Sequence, residues 1–277
     1  MNIGIIGLGL MGGSLGLALK KFPNKYHIIG YDHNKIHQKE ALELNLVDEI
    51  STDFEVIKKW CSVIILTIPV DAIITTIEKL KDINSSSTII DFGSSKSKIS
   101  KSIPKDIRAL VVTAHPMTGT EKFGPTAAID DLYRDKIMVV CDNQKSGKRQ
   151  NDIANEIFND IKAKVVFMGA DEHDRHAAFI SHMPHAVSFA LANSVMKQED
   201  STNIVALAGG GFKSMSRIAK SSPNMWEDIF RQNRENLLES IEVFNREMML
   251  CKQMIEDKDW DALHQWMLEA NSLHDIL

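Results

Sequence analysis

The sequence predicts an α/β chain: a doubly wound, mostly parallel sheet in residues 1–170, then an all-helical part in residues 171–277. Three observations predict it. Short β-branched runs alternate with helical patterns up to about residue 170, three glycines follow the first run at the spacing of a tight strand-to-helix turn, and no run past Gly169 reads as a strand.

Taken in order, the predicted strands are Ile3 to Ile6, His27 to Tyr31, Val63 to Ile68, Thr88 to Asp91, Leu110 to Ala114, Ile137 to Cys141 and Val165 to Met168. Crossover helices between them make the sheet parallel. From Met225 to about Met254, apolar residues recur at Trp226, Ile229, Phe230, Leu237, Ile241, Phe244 and Met248. That spacing predicts one helix of about 45 Å, too long for a small domain to cover alone. A second subunit is the expected cover, the alternative being the chain's own amino-terminal domain.

At 277 residues the chain exceeds the usual size of a single core, so two domains are expected. Hydrophobic residues make up 44% and charged residues 25%, which fits an ordinary globular protein. A net charge of -5 without long runs of one sign disfavours nucleic acid as partner and leaves a small molecule as the default. Cys61, Cys141 and Cys251 are odd in number and far apart, which suggests neither disulfides nor zinc but a reducing compartment. Met1 leads straight into the first strand and no apolar run spans a bilayer, so a cytoplasmic location without membrane attachment is expected.

Gly7, Gly9 and Gly12, with Leu10 and Met11 between them, form G-x-G-x-x-G directly after the first strand. Such a Rossmann turn brings a pyrophosphate onto backbone amides at a helix start. Asp32 ends the second strand, where its carboxylate can accept from the adenosine ribose hydroxyls and repel a 2'-phosphate, which favours NAD over NADP. The alternative is three glycines that only allow close packing. Thr67, Ile68 and Pro69 close the next strand and are placed against the cofactor by position alone.

Ser94 follows the strand ending at Asp91, and His115 follows the one ending at Ala114, so a hydroxyl and an imidazole meet at the carboxyl edge of the sheet. Oxidation of a carbinol needs a base for the hydroxyl proton, and histidine suits it; the alternative is two loop-terminating residues. Lys213 and Arg217, four apart behind Gly209 to Gly211, share a predicted helix face that suits a carboxylate, unless it is merely a solvated basic face. His173, His176, His182 and His185 make two H-x-x-H pairs, but no acid at ligand spacing completes a metal site, and none is expected.

With these residues in place, the chain resembles the prephenate dehydrogenases of tyrosine biosynthesis. The resemblance runs through G-L-G-L-M-G-G-S (Gly7 to Ser14), D-F-G-S-S-K (Asp91 to Lys96), H-P-M-T-G-T-E (His115 to Glu121), S-H-M-P-H-A (Ser181 to Ala186), G-G-G-F-K-S-M-S-R-I-A-K (Gly209 to Lys220) and P-N-M-W (Pro223 to Trp226). It implies a Rossmann domain joined to a helical dimerisation domain, and NAD-dependent oxidative decarboxylation of prephenate to 4-hydroxyphenylpyruvate by a homodimer. By motif position His115 would deprotonate the ring hydroxyl with Ser94 hydrogen-bonded beside it, and Arg217 would bind a substrate carboxylate aided by Lys213. His185 and Trp226 would line the pocket, while Glu121 resembles a pocket-mouth carboxylate that forms an ionic gate in some relatives. Ser214 stands where some relatives carry an Asp of that gate, which puts a gate relying on it in doubt. The length suggests a monofunctional enzyme without a fused mutase or regulatory domain. Arogenate as substrate, a β-hydroxyacid-type dehydrogenase and a non-enzymatic NAD-sensing dimer are the competing readings.

Overall fold

The protein, described from a computed structural model, is defined over residues 1–198 and 200–276. Along the chain, β1 (Asn2–Ile6) leads into α1 (Leu10–Leu19), β2 (His27–Tyr31) into α2 (Lys35–Glu43), the short β3 (Glu49–Ile50) into α3 (Phe54–Trp60), and β4 (Val63–Leu66) into α4 (Val70–Lys79). There follow β5 (Thr88–Asp91), α5 (Ser97–Ser102), β6 (Val111–Pro116), β7 (Ile137–Cys141), α6 (Lys148–Asp160) and β8 (Lys164–Met168). The remainder is helical: α7 (Ala170–Ala177), a π turn over Ala178–His182, α8 (Met183–Met196), α9 (Ser201–Ala206), α10 (Gly210–Ser216), α11 (Pro223–Gln232), α12 (Arg234–Glu256) and α13 (Trp260–Asn271).

The eight strands form one sheet in the order β3-β2-β1-β4-β5-β6-β7-β8, parallel throughout except where β7 runs antiparallel to β6. Its central strands are apolar on both faces because both faces are covered. Ile3, Ile5, Val63 and Ile65 pack with Leu15 and Leu19 of α1 and Ile157 and Phe158 of α6, whereas Ile64 and Leu66 pack with Ile57 of α3, Ile73 and Ile77 of α4, and Ile99 of α5. Period-two alternation along each strand thus sorts side chains between two helix layers.

Several boundaries differ from those the sequence predicts. The two-residue β3 pairs with Ile29 and Gly30 and has no apolar run to announce it. The strand predicted to reach Ile68 ends at Leu66, since Pro69 caps α4. The fifth predicted strand runs on to Pro116, so His115 lies within β6, opposite Val139, rather than after the strand. The single helix expected from Met225 to Met254 is two helices. Asn233 interrupts it with φ -114° and ψ 34°, and its amide donates to Asp174 O at 2.6 Å and lies 3.1 Å from His182 Nδ1. A short amide side chain that finds such partners competes with helix continuation. Two compact units result, Met1–Asn233 and Arg234–Leu277. Among the described residues, no helix is long and apolar enough to cross a membrane.

Candidate active site

The turn between β1 and α1 has the geometry of a dinucleotide cradle. Gly7 takes φ +95°, and a Cβ there would come within 2.7 Å of Thr67 O, so a side chain is barred on both counts. At Gly12 a Cβ would stand 1.9 Å from Gly7 O, closer than any atom can. At Gly9, by contrast, nothing lies nearer than Gly124 N at 4.0 Å, which leaves open space over the helix start. Gly9 caps α1 without a side-chain bond, so the first-turn amides of Leu10, Met11 and Gly12 face that space unspent. Asp32, 6% exposed, accepts from Leu8 N and Asn34 N, each at 2.8 Å, which aims the carboxylate beside the turn with lone pairs to spare. His33 and His37 each bring Nδ1 to 3.4 Å from it. These residues fit a dinucleotide. Thr67 donates its hydroxyl to Gly7 O at 2.6 Å and buttresses the turn, and Pro69 is exposed at the same edge.

The second cluster surrounds His115. Its Nδ1 lies 2.8 Å from Nε2 of His173, whose Nδ1 lies 2.8 Å from Asp174 Oδ1. Asp174 also accepts from the backbone N–H of Lys96 at 2.7 Å and of Ser97 at 2.9 Å, so one carboxylate caps α5 and holds the histidine. Lys96 and Asp91, both fully buried, pair directly beneath, and Lys96 also donates to Ala114 O at 2.8 Å. Burial pushes the Asp91 carboxyl up, against the pull of Lys96. Burial, reinforced by the charge of Lys96 and by the repulsion that His173 or His182 would add if protonated, holds His115 well below the ordinary histidine value and keeps its ring neutral near pH 7. Ser94 stands half-buried on the loop between β5 and α5. Among the described residues no hydrogen bond joins it to His115, so the partner expected for the imidazole is replaced by His173. The sequence offers His173 only as half of a metal pair.

A third group extends from there. His182, lowered to about 4 by burial, meets Trp226 edge-on with centroids 6.0 Å apart. His185 stacks on Trp226 at 3.6 Å and 24°, its Nδ1 donating to Ser181 O at 2.9 Å. Burial lowers His185 most, and the positive charge of Arg217 lowers it further. Arg217 pairs with Glu121 at 3.6 Å, its side chain 60% exposed. His182, Trp226 and His185 therefore form one aromatic cluster, which is coupled electrostatically to His115 through His182 and to Arg217 through His185. Lys213 is exposed on α10. Arg217 is the αR C-cap of the same helix, which ends at Ser216 and passes into a 3-10 turn.

Two family descriptions match the chain: the nucleotide-binding domain of prephenate dehydrogenase over residues 15–167 and the prephenate dehydrogenase dimerization domain over residues 169–269. The prephenate dehydrogenase of Bacillus subtilis is 31% identical over 280 residues, covering 99% of this chain and 75% of that protein. The cyclohexadienyl dehydrogenase of Zymomonas mobilis is 27% identical over 273 residues, covering 97% and 93%. Of solved structures, prephenate dehydrogenase from A. aeolicus in complex with hydroxyphenyl propionate and NAD+ superposes with a TM-score of 0.92 at 31% identity, covering 99% of this chain and 97% of that one. Synechocystis arogenate dehydrogenase does so with a TM-score of 0.81 at 26% identity, covering 99% of each.

Proposed function

The chain belongs to the prephenate dehydrogenase family, and on that premise we propose that it converts prephenate and NAD to 4-hydroxyphenylpyruvate, carbon dioxide and NADH in tyrosine biosynthesis. The observation that carries this reading is His115, an imidazole at the carboxyl edge of the sheet with its Nδ1 2.8 Å from His173 Nε2 and its ring held neutral by burial, with the stacked Trp226 and His185 and the Arg217–Glu121 pair making up the rest of the site. His115 can take a proton, and Arg217 can hold an anion.

Gly9, the first-turn amides of Leu10, Met11 and Gly12, and Asp32 are the residues that would hold NAD. Bound NAD supplies the acceptor for the hydrogen that leaves the ring carbinol with its electron pair. His115 takes the proton of the hydroxyl on the same carbon, departure of the ring carboxylate as carbon dioxide leaves an aromatic ring bearing the oxygen as phenolate, and His115 returns the proton to that oxygen. Ser94 borders the same edge and orients the oxygen. Arg217 offers a fork that orients a carboxylate bidentately, with Lys213 adding positive potential. The stacked His185 and Trp226 pair forms the wall against which the ring is placed. These are tasks of positioning and proton transfer, worth about 10² to 10⁴ in rate for the base alone.

Prephenate is favoured over arogenate by charge. The acid Glu121 is already engaged by Arg217 and Lys213 adds a cation on α10, so the site suits a dianion better than its amino counterpart. A homodimer formed through residues 171–277, a division of labour near residue 170 and a cytoplasmic location belong to the same proposal. The test is to follow NADH absorbance with purified protein, comparing prephenate with arogenate and NAD with NADP. Faster turnover of prephenate with NAD is expected; equal use of both cofactors, or preference for arogenate, would overturn the respective assignment.

A further inference from the structure

We propose that His173 and Asp174 form a positioning relay that fixes His115 in the one neutral tautomer able to take a proton, a role that rests on the reading of His115 as the base. The argument starts at Asp174, 1% exposed. Backbone N–H groups can only donate, so the bonds from Lys96 N to Oδ1 and from Ser97 N to Oδ2 make both carboxyl oxygens acceptors. Nδ1 of His173 faces Oδ1 and must therefore carry its hydrogen. A neutral imidazole has one donor and one acceptor, so Nε2 of His173 accepts, and the group 2.8 Å away, Nδ1 of His115, donates. The lone pair of His115 is then on Nε2. Were the order reversed, Nε2 would already bear a hydrogen and could abstract none.

The relay also addresses an electrostatic problem. Lys96, fully buried before α5, opposes positive charge on His115, and Asp91 is already paired with Lys96. Asp174 is the acid that reaches His115 through a hydrogen-bonded ring, so it can offset the charge that appears when the proton arrives. Capping α5 explains the contacts to Lys96 and Ser97 but not the bond to His173. His173 is 2% exposed, and its two ring nitrogens are both spent on this chain of contacts.

The experiment pairs kinetics with nitrogen-15 spectra of the histidine rings in the full-length protein. His173→Phe keeps a ring of similar size and removes both bonds, whereas His173→Gln restores an acceptor toward His115. In the unmodified protein, His115 should show a protonated Nδ1 and a bare Nε2. His173→Phe should mix the two tautomers and lower kcat by about 30- to 100-fold, with KM for prephenate and NAD within about threefold, and His173→Gln should recover at least about fivefold of kcat. A bare Nδ1 on His115 in the unmodified protein, or unchanged kcat in His173→Phe, would overturn the relay. If His173→Phe fails to fold, the unmodified spectrum and His173→Gln still decide. His115→Asn separates the two readings: normal turnover there removes the base itself, whereas loss there with unchanged kcat in His173→Phe removes only the relay.

Discussion

A single imidazole sets the pH behaviour expected of this site. His115 acts as a base only when neutral, and burial places its pKa well below the ordinary value of about 6.5. Activity should therefore persist as pH falls through 6.5 and fail only at more acid pH, when the ring is protonated; an acid limb of kcat/KM at or above about 6.5 would contradict the buried setting. His115→Asn should cost about 10² to 10⁴ in kcat with little effect on NAD affinity, measured by fluorescence titration. For Arg217 the structure moderates what a buried cation would imply. Its side chain is exposed and already paired with Glu121, so Arg217→Ala should raise KM for prephenate by about tenfold rather than by thousands, and Glu121→Gln should lower it by up to about fivefold by freeing the guanidinium. An unchanged KM in Arg217→Ala would remove it from the substrate site. Gly7, Gly9, Gly12 and Asp32 were legible in the sequence because their function depends on local spacing within one β-α-β unit. His173 was not, because its partner His115 lies 58 positions away and the two meet only once β6 and α7 are placed. The partner of Thr67 was hidden for a related reason: position puts it at the cofactor edge, and only the folded turn shows that its hydroxyl bonds the backbone of Gly7.

Among the elements, strands with uninterrupted apolar runs were read closely, since a buried strand leaves an unmistakable pattern, as in Thr88–Asp91 and Ile137–Cys141. The reversal of β7 against β6 left no such trace, because pairing direction depends on the connection and not on the apolar pattern of either strand. Asn233 carries the same lesson for helices. Apolar periodicity runs straight through it from Trp226 to Met248, yet tertiary partners on Asp174 and His182 end one helix and begin another. The structure makes this residue a clasp between α11 and the segment, α7 and the π turn, that carries His173 and His182. Asn233→Leu keeps the volume but leaves the carbonyl of Asp174 and a ring nitrogen of His182 short of a donor. Each buried unsatisfied group costs about 1–3 kcal/mol, so the variant should lose about 2–4 kcal/mol in urea unfolding. A loss below about 0.5 kcal/mol would mean that the clasp contributes nothing and that the helix break has another cause.

For the molecule as a whole, the unit Arg234–Leu277 poses the question of what covers it. It contains two helices, α12 and α13, joined side chain to side chain by Trp266 Nε1 donating to Glu247 at 2.9 Å. Of α12 only Leu237 and Ser240 are buried, and no residue of α13 is. Met248, Met249, Leu250, Ile255, Trp260, Met267 and Leu268 are all at least 47% exposed. Fewer than about 50 residues cannot close a core of their own, and a cluster of large apolar side chains of this extent is what a soluble chain covers by association. A second copy of the chain meets the need with closed symmetry, since the same helices on each protomer can serve as both donor and acceptor of the apolar face. Light scattering of the purified protein at micromolar concentration should therefore give twice the chain mass of 31.1 kDa. Met249→Asp combined with Leu268→Glu places two charges in that face. It should shift the population to monomer and lower the melting temperature, because each monomer then leaves these helices uncovered. A unimodified chain that scatters as a 31.1 kDa particle at every concentration, or a doubly charged variant that remains dimeric, would show that α12 and α13 are not the interface.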